Sequence, residues 1–565
     1  MYVFNINNNN YHFHFIYGFK VMINRSVFFA RLWLILCTLI MVLPLLVVVS
    51  SFGEFDQEIW QFLLESELTK LVKNTLILLL TTSFGVLVVG VSSAWLTAMY
   101  TFPGRRLFFW AMMLPLTVPA YVLAFVQLAF VQLAFVQLGM FDYTGAVSSY
   151  LRSHAGWAQG LPDIRNIWGL SWVLILTFYP YVYLLARNAF TSMGQQALDM
   201  GASLGLTPTQ SLFKIALPMA RPWVMSGLLL AMMEILADFG AVSVFGVETF
   251  TTAIYQAWFG FFSIDTAKQL ASLLVLLVFV LIVLEQLSRG RRHFATKKSA
   301  EIIPKKLFGL KAGLATGFCG LMLVMGFLLP IWQLLIWALK DWRMDQAMAL
   351  LAPMANSLLI GLIGAVLVMG VALLLVVAKR GDSSRFASLL MRLATLGYAI
   401  PGSVLAIGIF IPVAYVDNFL LSWLSVADDR TAIIKGTLVV MLLAYVIRFL
   451  ALAVSSVESG FERIRPSLVE SALILNVRGV QLVRRLYVPL LKSSLGVAML
   501  MVFVDLMKEM PITLMTRPTD WDTLAVRIYA FTMEGQFDQA ALPALVIVLS
   551  GLIPVILFSK EGNPS

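Results

Sequence analysis

The 565-residue chain is 60% hydrophobic and only 12% charged, about half the charged share of an ordinary soluble domain. With a mean hydropathy of +0.88, that composition excludes a soluble globular protein and leaves an integral membrane protein. The net charge of +10 does not indicate a nucleic-acid partner, because the basic residues sit in short loops between apolar spans, as in membrane proteins whose positive loops face the cytoplasm.

Taken from the start, residues 1–21, with four asparagines at 7–10 and a His/Phe/Tyr mixture after them, match neither a signal peptide nor a bundle helix. They are expected to be a disordered or misassigned N-terminal extension, Met22 being the better start. Apolar stretches long enough for a crossing, about 20 residues each, then follow at 28–50, 74–99, 107–138, 168–187, 222–245, 267–287, 313–339, 357–378, 393–416, 433–454, 493–515 and 539–558. The fold class is therefore an all-α integral membrane protein of about 12 transmembrane helices. Cys37 and Cys319 both fall in apolar runs, so no disulfide framework is implied.

Within the third span, residues 124–138 read Ala-Phe-Val-Gln-Leu three times. A five-residue period advances about 140° per repeat on a helix, so Gln127, Gln132 and Gln137 do not make one polar stripe. The repetition predicts a helix that overruns the bilayer or tilts.

Loop charge sets the orientation. The linker after the sixth span carries Arg289, Arg291, Arg292, Lys297, Lys298, Lys305, Lys306 and Lys311 against Glu301, and a same-side loop carries Arg105 and Arg106. Acidic loops follow the first span (Glu54, Asp56, Glu58, Glu65, Glu67) and the ninth (Asp417, Asp428, Asp429). Both termini are thus expected on the cytoplasmic side.

The chain also repeats itself. Asn74-Thr-Leu-Ile-Leu opens the second span and Asn356-Ser-Leu-Leu-Ile the eighth; Pro119-Ala-Tyr-Val-Leu-Ala-Phe is echoed, at the same separation, by Pro401-Gly-Ser-Val-Leu-Ala-Ile. The expected organisation is a first six-span repeat at 22–290, a basic cytoplasmic linker at 291–304 and a second six-span repeat at 305–565. The two copies share one orientation, as parallel repeats do.

The most telling duplication is a polar elbow between spans. Residues 195–222 read as a water-side helix, a turn and a second short helix, with Thr207 as N-cap, Pro208 at the first helical position and Gln210 as the return donor of a capping box. Residues 470–489 repeat the pattern: superposing Pro218 on Pro489 sets Asp199 on Glu470, Gly205 on Asn476, Ile215 on Leu486 and Leu217 on Val488. Leu212, Phe213, Ile215 and Leu217 are too many apolar residues for a loop that merely faces water, so a partner surface is expected to cover them.

Under the same superposition Asp238 and Glu509 coincide, about 22 Å along their helices when counted from Trp223 and Ser494. An intramembrane charge costs about 2.5–3.5 kcal/mol on insertion scales, so a symmetric pair invites a role in the translocation path. The bland alternative is helix-end carboxylates near outer headgroups, or a local pair such as Asp505 with Lys508. No nucleotide-cradling glycine loop, nucleophile elbow or metal-spaced His/Cys cluster occurs, so neither a catalytic residue nor a metal site is expected.

The two elbows resemble the coupling motif of permease subunits of bacterial ATP-binding-cassette importers: Glu-Ala-Ala, three residues, Gly, nine residues, Ile, one residue, Leu-Pro. The first matches at Gly205, Ile215, Leu217 and Pro218 and departs at Asp199, Met200 and Gly201; the second matches at Glu470, Ala472 and Pro489 and departs at Ser471, Asn476, Leu486 and Val488. Asn is the best non-glycine substitute where the backbone must be left-handed. The segments 236–260 and 508–518, the latter followed by 522–527, are similar to the span exits of the fused ferric-iron permeases. The resemblance implies a non-enzymatic membrane subunit that binds no cofactor itself. It implies a cytoplasmic ATPase dimer that consumes ATP with Mg, a periplasmic substrate-binding protein, surrounding membrane lipid, and ferric iron as cargo. Thiamine and phosphonate permeases share the fold. From another class, a twelve-span secondary carrier would use Asp238, Glu509 or Glu285 as ion sites, but would leave the twin elbows without a purpose.

Overall fold

In hydrocarbon a backbone can satisfy its polar groups only within its own helix or a closed barrel, and this chain takes the helical solution. The computed structural model describes residues 9–51, 65, 67–137, 165–289, 304–340, 344–382, 384–424 and 432–561. Among them are 11 helices long and apolar enough to cross a membrane, or 12 when one bent pair is counted as a single span. Among the described residues the sheet content is one parallel pairing of Tyr100–Thr101 with Lys305–Lys306, where the end of the linker region meets the second span.

Several element boundaries differ from expectation for identifiable reasons. The first helix runs Asn9–Ser50, so residues 9–21, expected to be a disordered or misassigned extension, are helical and continuous with the span; no proline interrupts that stretch before Pro44. The third span is not one overlong helix: Arg105–Thr117 and Ala120–Ala129 meet at 93°. Pro115 and Pro119 supply no N–H there, and a 3₁₀ turn, Leu114–Thr117, fills the corner. The helix carrying the pentapeptide repeats, Ala120–Gln137, has 18 residues, about 27 Å, and fits the bilayer; position 138 lies outside the described residues. Pro401 breaks the ninth span in the same way, leaving Gly402–Trp423 preceded by the short helix Arg385–Ala394.

The helices gather into two compact units, 1–47 with 360–399 and 442–506, and 48–359 with 400–441 and 507–565. Their boundaries do not follow the 291–304 linker. In the smaller unit the first helix packs on second-half elements: Arg31 pairs with Asp382 and Thr38 Oγ1 donates to Leu390 O at 3.2 Å. In the larger unit the seventh span, Gly309–Lys340, packs on first-half elements: Thr316 Oγ1 donates to Pro103 O at 3.0 Å, and a Cβ on Gly326 would sit 3.1 Å from Pro115 Cγ. Each repeat therefore lends its leading span to the other's helices, which is why compact units and sequence repeats differ. Close helix approach is the rule in this larger unit. A Cβ on Gly227 of the fifth span would lie 2.9 Å from Tyr181 O on the fourth, as expected where packing rather than hydrophobic exclusion joins helices.

Gln127, the first glutamine of the pentapeptide repeats, has a specific task. The seventh span contains a π turn, Val324–Leu328, in which Leu329 N–H donates to Val324 O. The next residue, Pro330, has no N–H, so the Met325 carbonyl loses its helical donor. Gln127 Nε2 supplies one at 2.9 Å.

Candidate functional site

The first elbow grows directly out of the fourth span. The helix Ile167–Ser203 is uninterrupted, which corrects the expected end at 187: after Pro180 the next proline is Pro208. Asp199 lies on this helix. In the second copy Pro466 starts a separate helix, Pro466–Ile474, after Leu438–Glu462 ends, and it carries the exposed Glu470.

Both helices close the same way. Leu206 N–H donates to Gly201 O at 2.9 Å, and Val477 N–H to Ala472 O at 2.9 Å, the long-range bond of a Schellman cap. That geometry requires a left-handed residue just before, and Gly205 (φ +66°) and Asn476 (φ +60°) provide it. Gly201 stands where the family motif has Ala because a Cβ there would run into Ser211 Oγ. In the first elbow the capping box is formed: Thr207 N–H donates to Gln210 Oε1 at 3.0 Å and Gln210 N–H to Thr207 Oγ1 at 3.4 Å. The second has Arg478 and Gly479 there and starts its short helix Val480–Leu482 without it.

Each elbow then enters its span through a π turn, Leu212–Ala216 and Val483–Tyr487, at matching repeat positions. The cause is the proline two residues on, Pro218 or Pro489. It lacks an N–H and its ring crowds the carbonyl four residues back, so the turn widens; Pro330 follows its own π turn in the same way. Leu212, Ile215 and Leu217 are half-buried, as are Ala472 and Leu486, while Pro218, Val488 and Pro489 are exposed. Phe213 is 66% exposed. Sequence reasoning missed the most exposed apolar residues, Leu204 (70%), Ile474 (84%), Leu475 (76%) and Val480 (82%). Leu204 and Leu475 are repeat equivalents immediately before the left-handed residue.

At the far ends of the same helices stand the two carboxylates. The fifth span ends at Ala237 and the eleventh at Lys508, short of the expected 245 and 515. Asp238 and Glu509 are therefore not within continuous helices but in breaks. Asp238 Oδ1 accepts from Ala241 N–H at 2.9 Å and Val242 N–H at 3.2 Å; Glu509 Oε1 accepts from Ile512 N–H at 3.1 Å. Each carboxylate thus caps the next short helix, Gly240–Val244 or Pro511–Thr516. Lys508 Nζ donates to Leu116 O at 3.0 Å, in the corner before Pro119.

The segments after the breaks are tied down by the other repeated landmark. Asn74 Nδ2 donates to Glu248 O at 3.0 Å and Asn356 Nδ2 to Asp522 O at 3.2 Å. The following threonines, Thr249 and Thr523, cap the helices Phe250–Tyr255 and Leu524–Met533. Asparagine, carboxylate and threonine thus form one device, present twice in the larger unit. Gly240 is pressed between Tyr121 and Met510, and Gly402 against Glu509 and Pro511. Ser243 and Tyr529 share a hydrogen bond of 3.0 Å. Glu285 is buried on the sixth span, 7% exposed.

Residues 86–286, from the second span through the first elbow to the sixth span, match the family model of the binding-protein-dependent transport system inner membrane component. Over that stretch the chain has this family's permease domain. Along its length the permease is 26% identical over 547 residues to the Fe(3+)-transport system permease protein FbpB 2 of Haemophilus influenzae, covering 95% of this chain and 99% of that one. It is 22% identical over 455 residues to the ferric transport system permease protein FbpB of Actinobacillus pleuropneumoniae, covering 74% and 62%. The sulfate transport system permease protein CysT of Escherichia coli is 26% identical over 227 residues, covering 40% of this permease and 74% of its own length. A permease subunit is a transport component rather than an enzyme.

Proposed function

We propose that this chain is the membrane subunit of an ATP-driven, binding-protein-dependent importer of ferric iron in the bacterial inner membrane, with both termini cytoplasmic. The observation that carries the coupling part is the twinned elbow: two chemically different sequences reach the same left-handed cap and the same π turn, each with bare apolar side chains beside it. Asp199, Gly205, Leu212, Phe213, Ile215, Leu217 and Pro218 in one copy, and Glu470, Ala472, Asn476, Leu486, Val488 and Pro489 in the other, form the docking faces for a cytoplasmic ATPase dimer that spends ATP and Mg. A periplasmic binding protein delivers the cargo. The full-length likeness to a permease named for Fe(3+), against partial likeness to sulfate permeases, supports ferric iron over thiamine or phosphonate.

Coupling follows from helix mechanics. A push on the elbow enters the helix Leu217–Ala237 at Pro218, and 21 residues, about 32 Å, carry it to the break at Asp238. The helix Val488–Lys508 does the same for Glu509. Helices transmit such motion because packed interiors are stiff, while the breaks supply joints whose segments can exchange partners.

The decisive experiment reconstitutes the permease in vesicles with its ATPase and binding protein and follows radiolabelled ferric iron. ATP-dependent uptake that unlabelled ferric iron suppresses, and thiamine or phosphonate does not, is expected. Uptake at full rate without the ATPase would overturn the reading in favour of an ion-coupled carrier.

A further inference from the structure

Two buried hydroxyls stand at the repeat-equivalent positions beside the breaks. Tyr121, in Pro119-Ala-Tyr, is 6% exposed, and Ser403, in Pro401-Gly-Ser, is 1% exposed. Among the described residues neither Tyr121 Oη nor Ser403 Oγ has a hydrogen-bond partner. Burying a hydroxyl without a hydrogen-bond partner is costly, so its presence at both copies of one device calls for a function.

The surroundings say what that function is. Tyr121 lies within electrostatic reach of the Glu509 carboxylate. Gly402, next to Ser403, has the same carboxylate against it: a Cβ there would sit 3.0 Å from Glu509 Oε1. The other break arrives at the same place, since a Cβ on Gly240, two residues beyond Asp238, would be 2.7 Å from both Met510 Cε and Tyr121 Cβ. Phenol, alcohol and carboxylate are all oxygen donors.

We infer that Tyr121, Ser403 and Glu509 form an oxygen-only transit site for a hard trivalent cation, occupied as the two breaks part. Resting on the ferric reading above, the inference names the ligands the cargo meets inside the permease. Hard cations take oxygen ligands over nitrogen or sulfur. Coordination by Tyr121 replaces the phenolic proton, so one proton is released for each ion held by that ligand. The donors suit passage rather than storage: the Glu509 carboxylate is engaged as a helix cap, and the close packing at Gly240 and Gly402 shuts the site until the segments separate.

The test titrates the purified full-length permease, in complex with its ATPase turning over ATP with Mg so that the breaks part, with ferric nitrilotriacetate and follows visible absorbance, where ferric ion bound to a tyrosinate gives a ligand-to-metal charge-transfer band. The wild type should develop the band with release of a proton. Tyr121→Phe should lose the band while the complex elutes unchanged on size exclusion, and Ser403→Ala should weaken iron binding several-fold with the band retained. Absence of the band in the wild type, or its persistence in Tyr121→Phe as adventitious surface binding, overturns the site. Ferric uptake by vesicles without the band would sink the site and leave the cargo reading intact. A Tyr121-dependent band in a permease that imports no ferric iron would do the reverse.

Discussion

Replacing Asp238 separates the cap its carboxylate makes from the proposed role of its charge in the translocation path. Asp238 Oδ1 accepts two backbone N–H groups, at 2.9 and 3.2 Å, so Asp238→Ala strips the helix Gly240–Val244 of its cap. A buried donor left unpaired costs about 1–3 kcal/mol, and loss of a capping side chain typically about 1 and at most about 2. Asp238 is half-buried, so water can replace part of the lost bonding, and a destabilisation of about 1–2 kcal/mol is expected. Asp238→Asn keeps the same oxygen and removes only the charge, so its stability should lie within about 0.5 kcal/mol of the wild type. Thermal unfolding of the purified permease measures the first difference, and ferric uptake by reconstituted vesicles the second. The path role predicts that Asp238→Asn folds normally but transports poorly. Equal thermal stability of the alanine variant would refute the capping argument, and full uptake by the asparagine variant would show that the charge plays no part in transport.

Three further outcomes follow from particular contacts. Gln127→Leu leaves the Met325 carbonyl without its donor and should cost about 1 kcal/mol in a detergent or bilayer unfolding assay, as interhelical hydrogen bonds in membranes do; no loss would mean that the proline-orphaned carbonyl needs no partner. At Asn476, Gly should be tolerated with ATPase binding intact, while Val should cost at least about 1–2 kcal/mol because the left-handed backbone crowds its branched Cβ. The Arg31 guanidinium bonded to Asp382 holds that carboxyl down to about 2, against an ordinary 3.8. The folded-state value is depressed, so the pair's stabilising effect is present above about pH 4 and fades as pH falls toward 2. The stability difference between wild type and Asp382→Asn should therefore be constant at neutral pH and vanish in acid; a gap that widens in acid would contradict the assignment.

Much of this molecule could be read from residues alone. The membrane class and the number of spans followed from apolar runs, and the repeat from three pairs of short matches. Asn476 was recognisable as a left-handed residue because it stood in a glycine's place. Helix ends were harder, because hydropathy continues across a proline or a carboxylate cap. The runs 107–138, 222–245 and 493–515 are predominantly apolar, yet Pro119, Asp238 and Glu509 break them. The exchange of leading spans left no mark in the sequence, since the apolar faces of the first and seventh helices suit either set of neighbours. Tyr121 and Ser403 were visible only as parts of a repeated Pro-containing phrase. Their burial without partners is a three-dimensional fact that no local pattern records.

The central claim is that the twin elbows exist to be gripped by an ATPase. Phe213→Glu combined with Leu486→Glu places a carboxylate on each docking face while leaving the transmembrane helices untouched. Affinity purification of this variant from membranes, with its ATPase co-expressed, should recover permease at wild-type amounts and almost no ATPase. Recovery of the ATPase at wild-type stoichiometry would contradict the account.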